Sequence, residues 1–260
     1  MSSELLTLAR EIALEAAELA ARRRTEGVTV AATKSSAVDV VTAADREVEA
    51  LIRDRLASAR PADGFFGEET GAAASTSGVT WIVDPIDGTV NYLFGLPMYS
   101  VSIAAVEGEP VPGQWQALAG CVVNPASGEM FTASRGEGST LNGHPLGLGP
   151  AAPLAEALIA TGFSYAEDRR RRQGAMIAKL LPQLRDLRRL GSAALDISFV
   201  AAGRLDAFFE EYLSPWDYAA AALIAEEAGA RIHLAPTGRI TVAHPDLLGP
   251  LVAALDQAEL

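Results

Sequence analysis

The N-terminal part of the chain shows the apolar spacing of helices. Over the first two dozen residues apolar side chains recur every three or four positions, which predicts an amphipathic helix over residues 3–24. Valine-rich runs at 28–30 and 38–41 predict strands on either side of a polar loop. Residues 42–45, Thr-Ala-Ala-Asp, have the form of a capping box ahead of a second apolar stripe, so Asp45 is expected at the start of another helix.

Shorter apolar runs separated by turns follow, and they indicate strands. Residues 99–106, 116–123 and 129–133 predict an antiparallel meander. The glycine-rich residues 136–143 lack the Lys-Ser/Thr of a phosphate-binding P-loop, and a hairpin is the better interpretation. The small and polar residues 70–78 predict a loop or a frayed helix.

Strand and helix patterns alternate from about residue 150 onward. Ser192 is expected to cap one helix, and Ser214 with Pro215 to begin another that carries Asp217 in its first turn. Glu210 ends the strand between them. The change of pattern predicts two units, residues 1–148 with an antiparallel sheet and residues 149–260 with an α/β arrangement.

Residues 81–89, Trp-Ile-Val-Asp-Pro-Ile-Asp-Gly-Thr, carry the most informative chemistry. The apolar run predicts a buried strand, and Pro85 should end it at Asp84 because proline cannot donate to a sheet. Gly88 permits a close approach of the backbone, and Thr89 offers a hydroxyl and an N–H. Asp84 and Asp87 would repel each other unless a cation lay between them.

Simpler interpretations exist for each carboxylate. Asp84 and Asp87 could cap turns, Asp45 could cap its helix, and Asp217 could compensate a helix dipole. An aspartyl-phosphate phosphatase of the haloacid dehalogenase type needs two aspartates separated by one residue, whereas two residues separate these. The pair is interpreted as functional because further acidic residues occur in similar settings.

Composition limits the classes of partner. The 260 residues are 49% hydrophobic, which is enough for a substantial core. The net charge of −12 argues against nucleic acid, and a phosphate could bind among these carboxylates only if metal ions reversed the local field. No apolar run approaches the roughly 20 residues of a membrane span. The N-terminus lacks a signal-peptide layout, and Cys121 is the only cysteine, interpreted as a buried thiol. A cytoplasmic location is expected.

Three motifs carry a resemblance to a known family. Asp84-Pro-Ile-Asp-Gly-Thr89, followed by Asn91-Tyr92 and Gly95-Leu-Pro97, resembles the signature of the inositol monophosphatase family. Gly67-Glu68-Glu69 is similar to its second motif and residues 216–220, Trp-Asp-Tyr-Ala-Ala, to its third. The resemblance covers nearly the whole chain. It implies a five-layer αβαβα sandwich of α+β and α/β character, a homodimer, and a Mg²⁺-dependent, lithium-sensitive phosphatase.

The resemblance also implies roles for individual residues. Two or three Mg²⁺ ions would be held by Glu68, Asp84, the Ile86 carbonyl, Asp87 and Asp217. These are all oxygen ligands, which Mg²⁺ prefers, and the absence of Cys and His argues against zinc.

The remaining roles concern water and substrate. Glu68 and Thr89 would orient the attacking water, and Asp45 would accept the proton of the Thr89 hydroxyl. The N–H groups of Gly88 and Thr89 would bind phosphate. The alcohol part would meet Asp87, Ala193, Glu210 and Asp217. Lys34 and Asp39 match a mobile loop beside the metals.

The predicted function is hydrolysis of a small phosphate monoester, with inositol monophosphate preferred. Fructose 1,6-bisphosphate, histidinol phosphate and 3′-phosphoadenosine 5′-phosphate are the alternatives, and a regulatory binding role is another. The full set of ligands favours an enzyme. Ala220 and the Ser214-Pro215 pair depart from the family pattern, which leaves the specificity of the substrate rim open.

Overall fold

The computed structural model describes residues 2–28, 30–33 and 40–259. The predicted Lys34 and Asp39 positions lie outside these residues. The helices are α1 (Ser2–Glu26), α2 (Ala43–Ala59), α3 (Thr89–Phe94), α4 (Glu167–Leu180), α5 (Ala193–Ala201), α6 (Pro215–Glu227) and α7 (Pro245–Glu259). Among the described residues, no helix has the length and apolarity needed to cross a membrane.

The strands form two large sheets and one small hairpin. In chain order they are β1 (Val30–Thr33), β2 (Val40–Thr42), β3 (Gly64–Gly67), β4 (Gly71–Ala73), β5 (Val79–Asp87), β6 (Ser100–Gly108), β7 (Trp115–Asn124), β8 (Glu129–Ser134), β9 (Gly138–Leu141), β10 (His144–Pro145), β11 (Leu158–Thr161), β12 (Asp186–Arg188), β13 (Ala207–Glu210), β14 (Arg231–Leu234) and β15 (Ile240–Ala243). The eight-stranded sheet has the order β10-β9-β8-β7-β6-β5-β3-β4, and the five-stranded sheet has the order β12-β11-β13-β15-β14.

The helices and sheets alternate in five layers, which confirms the predicted sandwich. α1 and α2 cover one face of the eight-stranded sheet. α5 and α6 lie between that sheet and the five-stranded sheet, and α4 and α7 cover the outer face of the latter. A helix in the central layer must be apolar on several sides, and α6 accordingly buries seven of its thirteen residues.

The meander β6–β8 and the helix starts at Thr42, Ser192 and Ser214 agree with the sequence patterns. The prediction of a loop or frayed helix over residues 70–78 is wrong in part. Residues 71–73 form the edge strand β4, which pairs antiparallel with β3. The pairing partner lies beside it in space, and small side chains carry no apolar alternation to reveal it.

The strand that carries the central motif also runs farther than predicted. β5 continues to Asp87, and its register with β6 shifts between Asp84 and Asp87. Pro85 therefore lies where the ladder is irregular, a position at which a missing N–H costs little. The irregularity allows two carboxylates three residues apart to reach one pocket.

Close packing fixes the height of α6 above the eight-stranded sheet. A Cβ atom at Gly120 of β7 would lie 2.7 Å from the Ala220 carbonyl oxygen of α6. The helix backbone can approach the strand this closely because position 120 is glycine. Residues 64–145 build one sheet and residues 158–243 the other, while the division into units 1–148 and 149–260 stays a prediction.

Cys121 follows Gly120 in β7 and packs in the core on the other face of the sheet, which α1 and α2 cover. Its side chain is fully buried, and burial raises the pKa of the thiol to about 12. A thiol with such a pKa is not a nucleophile at neutral pH. The interpretation of Cys121 as a buried thiol is confirmed.

Candidate active site

Three aspartates meet where the eight-stranded sheet approaches α6. Asp84 and Asp87 come from β5 and Asp217 from the first turn of α6. One carboxylate oxygen of each lies within 4.8 Å of the others, a grouping that could hold a metal ion. Asp84 and Asp87 are buried, with exposed fractions of 2% and 9%.

Each aspartate is oriented by hydrogen bonds. The Ile86 N–H donates to Asp84 Oδ1 at 3.0 Å. Asp87 Oδ2 accepts from the Ser192 hydroxyl at 2.6 Å and the Ala194 N–H at 2.8 Å. The Ser214 N–H donates to Asp217 Oδ2 at 2.6 Å, within the capping box of α6. Capping by Asp217 therefore coexists with a place in the cluster.

The cluster is electrostatically strained in the absence of a cation. Burial raises the pKa of Asp84 well above its usual value, and the charges of Glu68, Asp87 and Asp217 raise it further. Burial likewise raises the pKa of Asp217, followed by the charges of Asp87 and Glu68. Burial raises the pKa of Asp87 to about 6 against the opposing hydrogen bonds from Ser192 and Ala194. Converging oxygen-only donors of this kind, two buried and one half-buried, fit a hard divalent cation.

Thr89 connects the cluster to helix α2. Its hydroxyl lies 3.1 Å from Asp45 Oδ1 and 3.2 Å from the Ile86 carbonyl oxygen, and its one proton can be donated to either. Asp45 is itself buried and caps α2 through Thr42. Burial raises the pKa of Asp45 to about 6, opposed by the hydrogen bonds from Thr42. Gly88 precedes α3 in the left-handed conformation, with φ of 96°.

A pocket of about 510 Å³ opens above the aspartates. The predicted site residues that line it are Glu68, Asp84, Ile86, Asp87, Gly88, Thr89, Ala193, Glu210 and Asp217. Asp45 is not among the lining residues and reaches the pocket through Thr89. The structure thus brings the predicted residues together, while their individual roles stay predictions.

Glu210 also lines the pocket, at the end of β13. Burial raises the pKa of its carboxyl to about 8, against the opposing charge of Arg189. A Cβ atom at Gly162 would lie 2.1 Å from Glu210 Oε2. The Glu210 carboxylate therefore occupies space that only a glycine at position 162 leaves free.

Sequence reasoning missed several residues of the pocket wall. Asp196 is 1% exposed, and its Oδ1 atom has no hydrogen-bond partner within the described residues. Tyr212 has a φ of 67° and stacks against the Arg169 guanidinium, which lies 4.0 Å from the ring centre. Asp196 is an acidic residue within an otherwise apolar helix sequence, and that contrast was the one available sign of a special role. Nothing local in the sequence indicates the Tyr212 conformation.

The profile of the inositol monophosphatase family matches residues 1–258. The chain belongs to the inositol monophosphatase family. The match extends from α1 to α7 and therefore includes the whole sandwich.

Named relatives and a solved structure match nearly the full chain. The inositol-1-monophosphatase of Mycobacterium leprae is 40% identical over 280 residues, covering 98% of this chain and 94% of that protein. The Nus factor SuhB of Escherichia coli is 35% identical over 258 residues, with 96% and 94% covered. The structure of Mycobacterium tuberculosis SuhB superposes with a TM-score of 0.84 at 40% identity, covering 99% of this chain and 98% of that one.

Membership supports a phosphatase class of chemistry. The inositol monophosphatase family is a family of metal-dependent phosphatases, and the carboxylate cluster of this chain lies in the pocket where a metal would be needed. The names of the relatives support a phosphatase role for this chain.

Proposed function

We propose that this inositol monophosphatase family member hydrolyses inositol monophosphate to inositol and phosphate with the aid of Mg²⁺. The observation that carries the proposal is the meeting of Asp84, Asp87 and Asp217 at the base of one pocket with Glu68 in its wall. Four carboxylates and the Ile86 carbonyl supply only hard oxygen donors, which suit Mg²⁺.

The proposed metal ligands are Glu68, Asp84, the Ile86 carbonyl, Asp87 and Asp217. When bound there, two or three Mg²⁺ ions would neutralise phosphate charge and make water more acidic. Asp84, Asp87 and Asp217 each accept a backbone N–H at one carboxylate oxygen. The other carboxylate oxygen of each would be available to bind metal.

The chain's own groups would orient the water and the phosphate. Thr89, held by Asp45, presents its hydroxyl at the pocket beside Glu68, and these side chains would align water for in-line attack. The N–H groups of Gly88 and Thr89 stand at the start of α3 and would donate to phosphate oxygens.

Substrate preference would be set by the residues that surround the alcohol group. Glu210, Asp87, Ala193 and Asp217 line the part of the wall available to the alcohol group. Carboxyl groups, whether ionised or protonated, form hydrogen bonds with ring hydroxyls. A site built for hydroxyls discriminates against substrates that leave its polar groups unpaired. Inositol 1-phosphate should therefore be preferred over 3′-phosphoadenosine 5′-phosphate.

A turnover assay with a panel of phosphate monoesters, with Mg²⁺ and with EDTA, tests the proposal. We expect kcat/KM to be highest for inositol 1-phosphate and activity to be lost in EDTA. Glu210→Gln should raise KM more than it lowers kcat, because in this proposal Glu210 would contact the alcohol group and not the metals. Glu109→Gln, in an exposed turn, is the matched control. Equal or reversed preference between inositol 1-phosphate and 3′-phosphoadenosine 5′-phosphate would refute the inositol assignment.

A homodimer is also proposed. Phe94 ends α3 and Leu96 lies two residues beyond it, with exposed fractions of 75% and 53%, and neighbouring exposed apolar side chains are typical of an interface. Sedimentation of the wild type and of a Phe94→Ser variant would test this: a monomeric wild type contradicts it. A cytoplasmic location stays a prediction.

A regulatory role is a second candidate, favoured by the name of the Escherichia coli relative, Nus factor SuhB. Such a role would add to catalysis, since the full carboxylate set is present. A catalytically inactive variant that still complements loss of that relative in cells would support it, and failure of both wild type and variant would contradict it.

A further inference from the structure

Helix α2 carries a second buried carboxylate one turn after Asp45. Glu49 has an exposed fraction of 0%, and its partners among the described residues are two backbone N–H groups. The Glu69 N–H donates to Glu49 Oε2 at 2.8 Å, and the Thr70 N–H donates to Glu49 Oε1 at 2.8 Å. Each carboxylate oxygen thus holds one amide of the turn that follows Glu68.

These bonds fix the backbone on the C-terminal side of Glu68. On the N-terminal side, the Glu68 N–H donates to the Val83 carbonyl oxygen of β5 at 3.3 Å. Val83 immediately precedes Asp84, so one side of Glu68 is tied to the strand that carries two aspartates of the cluster. The other side is tied to Glu49. The direction of the Glu68 side chain depends on both.

The packing around Glu49 leaves little freedom for another arrangement. A Cβ atom at Gly67 would lie 2.6 Å from Glu49 Oε2, so the carboxylate fills the space that the glycine leaves. Asp45 and Glu49 are four residues apart on α2 and share one face of the helix. Asp45 holds Thr89, and Glu49 holds the backbone beside Glu68.

We propose that Glu49 is a positioning residue, which sets the Glu68 side chain for metal and water by binding the amides of Glu69 and Thr70. The proposal rests on the proposed function only in assigning Glu68 to the metal site. Helix α2 then positions both motifs through two carboxylates one turn apart. Glu49 binds the turn at residues 68–70, and Asp45 binds Thr89 in the segment 84–89. Partners of ligands at metal sites commonly affect affinity or activity by about 10- to 100-fold when changed.

The test uses two variants of Glu49 and one control on the full chain. Glu49→Gln keeps the size but presents an NH₂ to one of the two N–H donors. Glu49→Asp keeps the charge but is one methylene too short to reach both. Glu47→Gln, on the exposed face of the same helix, removes only a surface ion pair with Arg23. Mg²⁺ binding is measured by calorimetry, and kcat and KM are measured for inositol 1-phosphate.

Both Glu49 variants should bind Mg²⁺ about 10- to 100-fold more weakly and lose kcat with little change in KM at saturating metal. The control should behave as wild type. A loss in Glu49→Gln alone would indicate a charge effect and overturn the proposal. Unchanged Mg²⁺ affinity and kcat in both, with only a lower Tm, would show a purely structural role and overturn it too.

The two hypotheses can fail separately. If the wild type binds Mg²⁺ but hydrolyses none of the phosphates, the proposed function fails while the calorimetric comparison still decides the role of Glu49. If Glu49→Gln does not fold, Glu49→Asp decides by the same measurements.

Discussion

Replacement of Asp84 by Asn should make the metal-free protein more stable while abolishing turnover. An asparagine keeps an acceptor for the Ile86 N–H but removes one charge from the cluster. Two unit charges at the 4.8 Å limit of the cluster repel by about 3.5 kcal/mol at an effective dielectric constant of about 20. Proton uptake limits that penalty, since each unit of raised pKa corresponds to about 1.4 kcal/mol.

We therefore expect Asp84→Asn to stabilise the metal-free protein by about 1–3 kcal/mol, which is about 2–6 °C in Tm for a chain of this size. The size of this stabilisation depends on pH. The folded state raises the pKa values of Asp84, Asp87 and Asp217, so it holds protons that the unfolded chain has already released. The stability of the metal-free wild type should fall as pH rises from about 4 through the raised pKa values.

Thermal unfolding by circular dichroism in EDTA, at about pH 5 and about pH 8, measures this effect. The wild-type Tm should fall over that interval, and the Asp84→Asn Tm should fall less and exceed it at the higher pH. Saturating Mg²⁺ should raise the wild-type Tm more than that of the variant. A variant less stable than wild type at both pH values in EDTA, or one with near-normal turnover in saturating Mg²⁺, would refute the reasoning.

Two further predictions concern the aspartate cluster and the Glu210 carboxyl group. Lithium should inhibit turnover at high Mg²⁺, because Li⁺ resembles Mg²⁺ in size and the cluster of Asp84, Asp87 and Asp217 could accept it. Turnover is measured while LiCl is titrated, with NaCl as the control. Activity that is unaffected by LiCl would contradict this prediction. Gly162→Ala should displace the Glu210 carboxylate and raise KM for inositol 1-phosphate, whereas Gly147→Ala, in open space, should not; equal KM values in the two variants would contradict the steric argument.

The sequence predicted the parts of the fold that depend on local patterns. A capping box placed the start of α2, and a capping serine followed by proline placed the start of α6. Alternation with turn residues placed the meander. The edge strand at residues 71–73 and the continuation of β5 past Pro85 were missed. Both depend on the neighbouring strand and on a break in its ladder, which residue preferences do not encode.

The same distinction applies to the site. The acidic motifs indicated Glu68, Asp84, Asp87 and Asp217 because carboxylates at strand ends and helix starts are chemically conspicuous. Glu49 and Gly162 were not identified, since one lies within an ordinary helical repeat and the other matters only because Glu210 lies opposite. Their importance comes from contacts between segments far apart in the chain.

The contact between Gly120 and α6 gives the core a direct influence on the chemistry. Any side chain added to that strand position would lift the helix from the sheet, and the helix carries Asp217 in its first turn. A single methyl group in the interior, touching no substrate and no ligand atom, would thereby change the spacing between the carboxylates from the strand and the one from the helix. Catalytic strength in this protein could thus be tuned or lost by mutations that a survey of the pocket alone would class as silent.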